Sequence, residues 1–113
     1  MNNFANEAEI LESIQSQIAS HKIMVFMKGN PTFPRCGFSA TVADIFDRMG
    51  VEFGAMDILP DPRIRQVLSL HSSWPTIPQV FIDGEFVGGC DIVREMDASG
   101  DLRRKVEAAL ANT

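Results

Sequence analysis

Hydrophobic residues recur along the first half of this chain with a spacing that changes from one segment to the next. Between residues 7 and 20 they recur every three or four positions, which predicts an amphipathic helix. Residues 22–28 form an almost continuous apolar run, typical of a strand that is buried on both faces of a sheet. Residues 37–49 return to helical spacing and are followed by Gly50, so a second helix is predicted there. The predicted apolar face of this second helix comprises Phe38, Val42, Ile45, Phe46 and Met49.

The second half of the chain predicts one more strand and helix, then a hairpin and a helical C-terminal part. Residues 51–58 predict a second strand, and residues 59–72 predict a loop that leads into a helix with Pro62 in its first turn. Residues 78–89 place Asp-Gly between two apolar runs, the pattern of a tight β-hairpin. Two short helical segments complete the chain, at 91–100 and 101–110.

This order of elements predicts an α/β fold. Two strands joined by a crossover helix should be parallel, and the hairpin then adds an antiparallel pair. We therefore expect a four-stranded mixed sheet with helices on both faces. The chain has 113 residues, 45% of them hydrophobic, which suffices for one core. We expect a single domain over residues 1–113.

Charge and hydropathy narrow the classes of function. Asp and Glu number 15 against 10 Lys and Arg, so the formal net charge is −5, which argues against binding to nucleic acid or to anionic membranes. No apolar run approaches the roughly 20 residues of a membrane-spanning helix. The N-terminal stretch lacks the basic and apolar regions of a signal peptide. We expect a cytoplasmic protein.

The chain contains two cysteines, Cys36 and Cys90, which are too few for a disulfide scaffold. Cys36 lies between a loop that contains glycine and prolines and the start of a predicted helix, where the dipole favours a thiolate. Lowering its pKa by about two units takes about 2.7 kcal/mol. A helix N-terminus usually supplies only about 0.3–1 kcal/mol. Lys28 and Arg35 are therefore candidates for the remainder, and an inert core cysteine is the alternative.

Three motifs occur in a fixed order around these cysteines: CGFS at 36–39, WPTIPQV at 74–80 and GGCD at 88–91. Together with Lys28, eight residues before Cys36, they make the chain from about residue 7 to 110 resemble a monothiol glutaredoxin of the Cys-Gly-Phe-Ser type. The resemblance implies a thioredoxin-like fold, with Cys36 as the single nucleophile and glutathione as a cofactor. Trp74 would pack beside this site.

The resemblance also implies a cationic side of a glutathione site. Lys28 would meet the thiolate or the glycyl carboxylate, and Arg65 would hold that carboxylate with its guanidinium fork. The alternative for Lys28 is a solvated lysine at a strand end, and an arginine such as Arg65, taken alone, is better interpreted as an exposed helix residue. Ile77 would offer its backbone to the tripeptide if the Ile77–Pro78 bond were cis, as the resemblance implies, whereas an ordinary trans proline opening an edge strand is the alternative.

The GGCD motif would bind the other end of glutathione. Gly89 permits close approach of a backbone, and free amides at Cys90 and Asp91 suit the γ-glutamyl carboxylate. The Asp91 carboxylate would meet the ammonium group, and Asp91 is also expected to be the N-cap of the following helix. Cys90 is expected to contribute its backbone rather than its thiol, and a second redox role for it stays open.

Ser39 occupies the position at which a dithiol oxidoreductase carries its second cysteine. A serine hydroxyl forms no disulfide, so a glutathionylated Cys36 must be released by glutathione or by Cys90. A two-iron two-sulfur cluster (2Fe-2S) needs four terminal ligands. One Cys36 from each of two chains and two glutathione thiolates reach that number.

The resemblance implies that this cluster bridges a homodimer and is passed to recipient iron-sulfur apoproteins. A heterodimer with a BolA-type partner is compatible with the same sequence. The alternative function is that of a glutathione-dependent thiol-disulfide oxidoreductase, and we expect any such activity to be weak.

Overall fold

A computed structural model of the chain describes residues 4–112, and these form five helices and four strands. The elements lie where the periodicity predicts them, within a few residues at each end. In chain order they are α1 (Glu7–Ser20), β1 (Ile23–Met27), α2 (Gly37–Met49), β2 (Gly54–Asp57), α3 (Pro62–Ser72), β3 (Gln79–Ile82), β4 (Glu85–Gly88), α4 (Cys90–Ser99) and α5 (Asp101–Ala111). None of these helices is both long and apolar enough to cross a bilayer.

The four strands form one mixed sheet in the order β2-β1-β3-β4. Strand β1 runs parallel to β2 and antiparallel to β3, which pairs with β4 as a hairpin. The predicted mixed sheet is therefore confirmed. The hairpin turn consists of Asp83 and Gly84, both with positive φ (52° and 82°), as an Asp-Gly turn requires.

Two hydrophobic clusters lie on opposite faces of this sheet, which explains the continuous apolar run of β1. All five β1 side chains are buried. Ile23, Val25 and Met27 face the cluster that α2, α4 and α5 cover. Met24 and Phe26 face the cluster that α1 and α3 cover. Burial of each such side chain is favourable by about 1.5–3 kcal/mol. Since all five are buried, β1 contributes strongly to the core on both faces of the sheet.

Strand β2 is shorter than predicted, because only 54–57 of the predicted range 51–58 belong to the strand. Val51 and Phe53 still pack against the core beside α2, although the backbone there lies outside the sheet. These two side chains are apolar because the loop packs against the core, and not because it pairs as a strand. Hydropathy alone does not distinguish these two cases.

Two expectations about helix ends are wrong. Asp91 is not the N-cap of α4: the helix begins at Cys90 with Gly89 as N-cap, and the Val93 N–H donates to the Gly89 carbonyl at 3.1 Å. The Asp91 carboxylate lies in the first turn, where the helix dipole still favours it. Phe38 is not part of the buried face of α2, since 61% of it is exposed. Its position in the first turn of α2 lies beyond the edge of the core.

Candidate functional site

A short loop after β1 positions the CGFS segment. The Gly29 N–H donates to the Asp57 carboxylate at 3.0 Å, and the Arg35 N–H donates to the Lys28 carbonyl at 2.9 Å. Gly29 has a φ of +85°, and a Cβ at this position would lie 2.5 Å from the Phe33 carbonyl oxygen. The loop therefore needs glycine here to return the chain to the end of β1.

Cys36 is the N-cap of α2 and is partly exposed, with an extended backbone (φ −153°). Its pKa is lowered from the ordinary value, first by the backbone N–H of Ser39, and further by the Phe38 N–H, the Lys28 ammonium and the Ser39 hydroxyl. Partial burial acts in the opposite direction. The predicted thiolate-stabilising turn is thus present, but Lys28 contributes less than the two N–H groups, and Arg35 is not among the groups that shift this pKa.

Ser39 has a structural function that sequence reasoning missed. Its side chain is fully buried, and its hydroxyl accepts a hydrogen bond from the Lys28 N–H at 3.1 Å. The same hydroxyl stabilises the Cys36 thiolate. Ser39 therefore links the first turn of α2 to the end of β1, and it does so at the position where a dithiol protein has its second sulfur.

Cys90 has the opposite environment, although it is also at a helix start. Its thiol is buried, and burial is the main cause that raises its pKa. Arg94 opposes this shift, while the charges of Asp91 and Cys36 add to it. A protonated, buried thiol is a poor nucleophile and a poor ligand, which favours the backbone contribution expected for Cys90.

A cleft of about 330 Å³ lies between the turn at 74–78 and the start of α4. It brings together four of the predicted site residues: Ile77, Gly89, Cys90 and Asp91. The remaining lining residues are Phe38, Trp74, Thr76, Pro78 and Ile92. Trp74 lies beside the site as predicted. Phe38, Thr76 and Ile92 were not predicted, although Phe38 and Thr76 belong to the motifs at 36–39 and 74–80.

The Ile77–Pro78 peptide bond is cis, as the resemblance implied. Ile77 is buried at 7% exposure. Within residues 4–112 its backbone N–H and C=O make no hydrogen bond. Buried backbone groups are normally paired, so a free pair at the wall of a cleft is suited to an extended peptide.

Cations without a carboxylate partner among the described residues lie near the two cysteines and near the turn at 74–78, despite the negative net charge. Among the described residues, five cations form ion pairs with Asp or Glu: Lys22, Arg48, Arg63, Arg104 and Lys105. Lys28 and Arg35 flank the Cys36 loop without such a partner, and Arg94 lies near Cys90. Arg65 lies outside the cleft lining, exposed on α3, and donates to the Pro75 carbonyl at 3.3 Å. This distribution favours an anionic ligand.

Comparison with known proteins places these features in a family. A family model described as glutaredoxin matches residues 23–87. Relatives include an uncharacterized monothiol glutaredoxin (ycf64-like) of Synechocystis, 46% identical over 88% of this chain and 92% of the relative. Glutaredoxin 4 of Escherichia coli K12 is 46% identical over 89% of this chain and 88% of its own length. The chain spans only 61% of the chloroplastic monothiol glutaredoxin-S7 of rice.

Two solved structures extend the comparison to the fold. Reduced poplar apo GrxS14 superposes with a TM-score of 0.80 at 46% identity, over 89% of this chain and 93% of that one. A buckwheat glutaredoxin–glutathione complex superposes with a TM-score of 0.83 at 25% identity, over 99% of this chain and 100% of that one. The thioredoxin-like architecture predicted from the motifs is therefore confirmed.

Proposed function

This chain belongs to the glutaredoxin family, among its monothiol members, and we propose that it binds glutathione and a 2Fe-2S cluster that it transfers to recipient apoproteins. In this proposal two copies of the chain share the cluster. Each copy supplies the Cys36 thiolate, and glutathione supplies the other two thiolates. The cluster is cargo, held for transfer and not as a permanent group.

The observation that carries the proposal is the number of suitable thiolates. Cys36 is partly exposed with a lowered pKa, whereas Cys90 is buried with a raised pKa. Within residues 4–112, no group of three or more His, Cys, Asp or Glu side chains is arranged to hold a metal. One chain therefore offers one ligand of the four that a cluster needs, so the others must come from outside the chain.

Features of the cleft fit glutathione as the source of further ligands. The free N–H and C=O of Ile77 suit pairing with the cysteinyl unit of the tripeptide. Gly89, Cys90 and Asp91 line the cleft at the α4 N-terminus, and backbone N–H groups at a helix start suit the γ-glutamyl carboxylate. Bound in this way, glutathione would supply a second thiolate beside Cys36.

Lys28 and Arg65 complete the proposed site with positive charge. Lys28 lies close enough to Cys36 to lower its pKa, so an anion beside the thiolate would be attracted as well. Arg65 donates to the Pro75 carbonyl at 3.3 Å, near the cis-proline turn, and from there its guanidinium would hold the glycyl carboxylate. Neither residue has a carboxylate partner within the described residues that would compete with a ligand.

The test is anaerobic reconstitution or purification with glutathione, followed by iron and sulfide analysis, visible absorbance and native mass. The proposal predicts a coloured dimer with two irons per two chains, which loses its colour when glutathione is removed. Cys36→Ser should give a colourless monomer, and Cys90→Ser should behave as the wild type. Colour that persists without glutathione, or that depends on Cys90, would contradict the ligand set. A BolA-type protein added to the dimer should appear in the native mass as a heterodimer if it replaces one copy.

The second candidate is a thiol-disulfide oxidoreductase that removes glutathione from mixed disulfides. The lowered Cys36 pKa favours it, because a thiolate is the attacking species. The buried thiol of Cys90 disfavours rapid internal resolution, so each turnover would need a second glutathione. A colourless monomer with rapid turnover of a glutathionylated substrate would favour this function over cluster transfer.

A further inference from the structure

Gln79, the first residue of β3, has a fully buried side chain that the proposed site does not use. Its Nε2 donates to the Trp74 carbonyl at 2.9 Å and to the Thr76 carbonyl at 3.2 Å. Within residues 4–112, its Oε1 accepts no hydrogen bond. Burying a carboxamide is unfavourable unless it is hydrogen bonded, so the interaction with these two carbonyls is what holds the side chain in place.

The backbone of Gln79 is itself fixed, because it pairs with Phe26 of the central strand β1. The side chain therefore extends from the rigid sheet to the turn that precedes the cis proline. The amide orientation follows from the two acceptors: a flipped amide would direct Oε1 at two carbonyl oxygens. Gln79 thus anchors this turn to the sheet.

This anchor determines the direction of the Ile77 N–H. Thr76 and Ile77 share one peptide group, and this bond is trans, since the described chain has its one cis bond at Ile77–Pro78. In a trans peptide the C=O and the N–H point in opposite directions. When Gln79 Nε2 holds the Thr76 oxygen inward, the Ile77 N–H must point away from Gln79. That N–H has no partner within residues 4–112 and belongs to a residue that lines the cleft.

We propose that Gln79 is a positioning residue for glutathione: by holding the Trp74 and Thr76 carbonyls, it directs the Ile77 N–H into the cleft. This inference rests on the proposed binding of glutathione beside Cys36. Without the clamp, the Thr76–Ile77 peptide can rotate, and its donor loses the orientation that an extended tripeptide needs. Gln79 itself does not touch the ligand.

The variant that tests this is Gln79→Met, which keeps the length and approximate volume of the side chain but removes both N–H donors. Reduced glutathione is titrated into the reduced protein and followed by amide NMR. In the wild type, the Ile77 amide signal should shift on binding. In Gln79→Met the Kd should rise roughly two- to tenfold, as expected for loss of about one hydrogen bond, and the Ile77 signal should respond less.

Two further readouts separate positioning from general loss of stability. Ile14 lies on α1, in the hydrophobic cluster that α1 and α3 cover. The variant Ile14→Val should lower stability while leaving the glutathione Kd unchanged. The Cys36 pKa should be the same in all three proteins, because the groups that lower it lie in α2 and at Lys28. If Ile14→Val weakens binding as much as Gln79→Met does, the effect is one of stability and the proposal is wrong.

The outcomes distinguish the inference from the proposed function. No binding of glutathione by the wild type overturns both. Binding with the same Kd by wild type and Gln79→Met overturns the inference alone. Should Gln79→Met not fold, the wild-type side-chain amide of Gln79 decides: slow exchange with solvent and a shift on glutathione binding support the clamp, and fast exchange overturns it.

Discussion

Ser39 stands where a dithiol oxidoreductase has its second cysteine, and replacing it with alanine tests whether its hydroxyl stabilises the fold through a hydrogen bond. The Ser39 hydroxyl is fully buried and accepts the Lys28 N–H at 3.1 Å. Ser39→Ala removes one oxygen and leaves that N–H without its acceptor. The backbone N–H of Ser39, which is the largest cause of the lowered Cys36 pKa, is retained. The variant therefore separates the structural role of this residue from its backbone contribution to the thiolate.

The expected magnitude follows from three contributions. An unsatisfied, partly buried N–H such as that of Lys28 costs about 1–3 kcal/mol. Alanine has a higher helix propensity than serine, which returns about 0.5 kcal/mol in α2. The void left by one oxygen is small. We expect the free energy of unfolding to fall by about 1–2 kcal/mol, which for a chain of this size lowers Tm by roughly 4–8 °C.

The measurements are denaturant unfolding followed by circular dichroism, and thiolate absorbance against pH. Ser16→Ala is the matched control, because Ser16 is an exposed serine in α1 with no hydrogen bond from its side chain to the described residues. The Cys36 pKa should rise in Ser39→Ala, since the hydroxyl no longer stabilises the thiolate, but it should stay below its ordinary value. If Ser39→Ala were as stable as Ser16→Ala, the hydroxyl would not link β1 to α2 and the reasoning would be wrong.

Three further predictions concern charge, backbone and ligand. Because folding lowers the Cys36 pKa, the ionised thiolate should stabilise the wild type relative to Cys36→Ser. This stabilisation should be complete above the ordinary pKa of 9.0 and should be lost as the pH falls through the lower folded pKa. A difference in unfolding free energy between the two proteins that does not change with pH would contradict this prediction. Gly29→Ala should lower the free energy of unfolding by at least about 1–2 kcal/mol, because φ is +85° and the new Cβ would lie 2.5 Å from the Phe33 carbonyl oxygen. Gly37→Ala should not lower it, because the space around its Cβ is open. Equal stability of the two variants would refute this prediction. Arg65→Ala should leave the free energy of unfolding within about 0.5 kcal/mol but weaken glutathione binding about tenfold in the same NMR titration. The control Arg103→Ala, on α5, should bind glutathione with an unchanged Kd. An unaltered Kd for Arg65→Ala would show that Arg65 is not part of the site.

Much of the fold could be predicted because local patterns and tertiary packing agree. Strand β1 is apolar on both faces since helices cover both faces of the sheet. The Asp83-Gly84 pair has positive φ at both positions, as a tight Asp-Gly hairpin turn requires. In such segments the local preference and the global arrangement are consistent, so the sequence alone identifies them.

The site was less predictable because its key features depend on hydrogen bonds to backbone groups outside the helix or strand that carries the residue. Helical spacing placed Phe38 on the apolar face of α2, yet the residue is 61% exposed, because periodicity does not show where a helix extends beyond the sheet. Ser39 and Gln79 are small or polar residues that composition assigns to the surface, yet both are fully buried. Each is buried because it satisfies backbone groups of another segment, Lys28 in one case and the turn at 74–76 in the other.

The two cysteines show why a helix N-terminus alone does not make a thiolate. Cys36 is the N-cap of α2 and Cys90 is the first residue of α4, so the dipoles of both helices favour a negative sulfur. Their pKa values nevertheless shift in opposite directions. At Cys36 the backbone N–H groups of Ser39 and Phe38 lower the pKa of a partly exposed sulfur, while at Cys90 burial outweighs the dipole. Because Cys36 is the accessible thiolate of the two cysteines, the proposed cluster site would take its other ligands from a second chain and from glutathione.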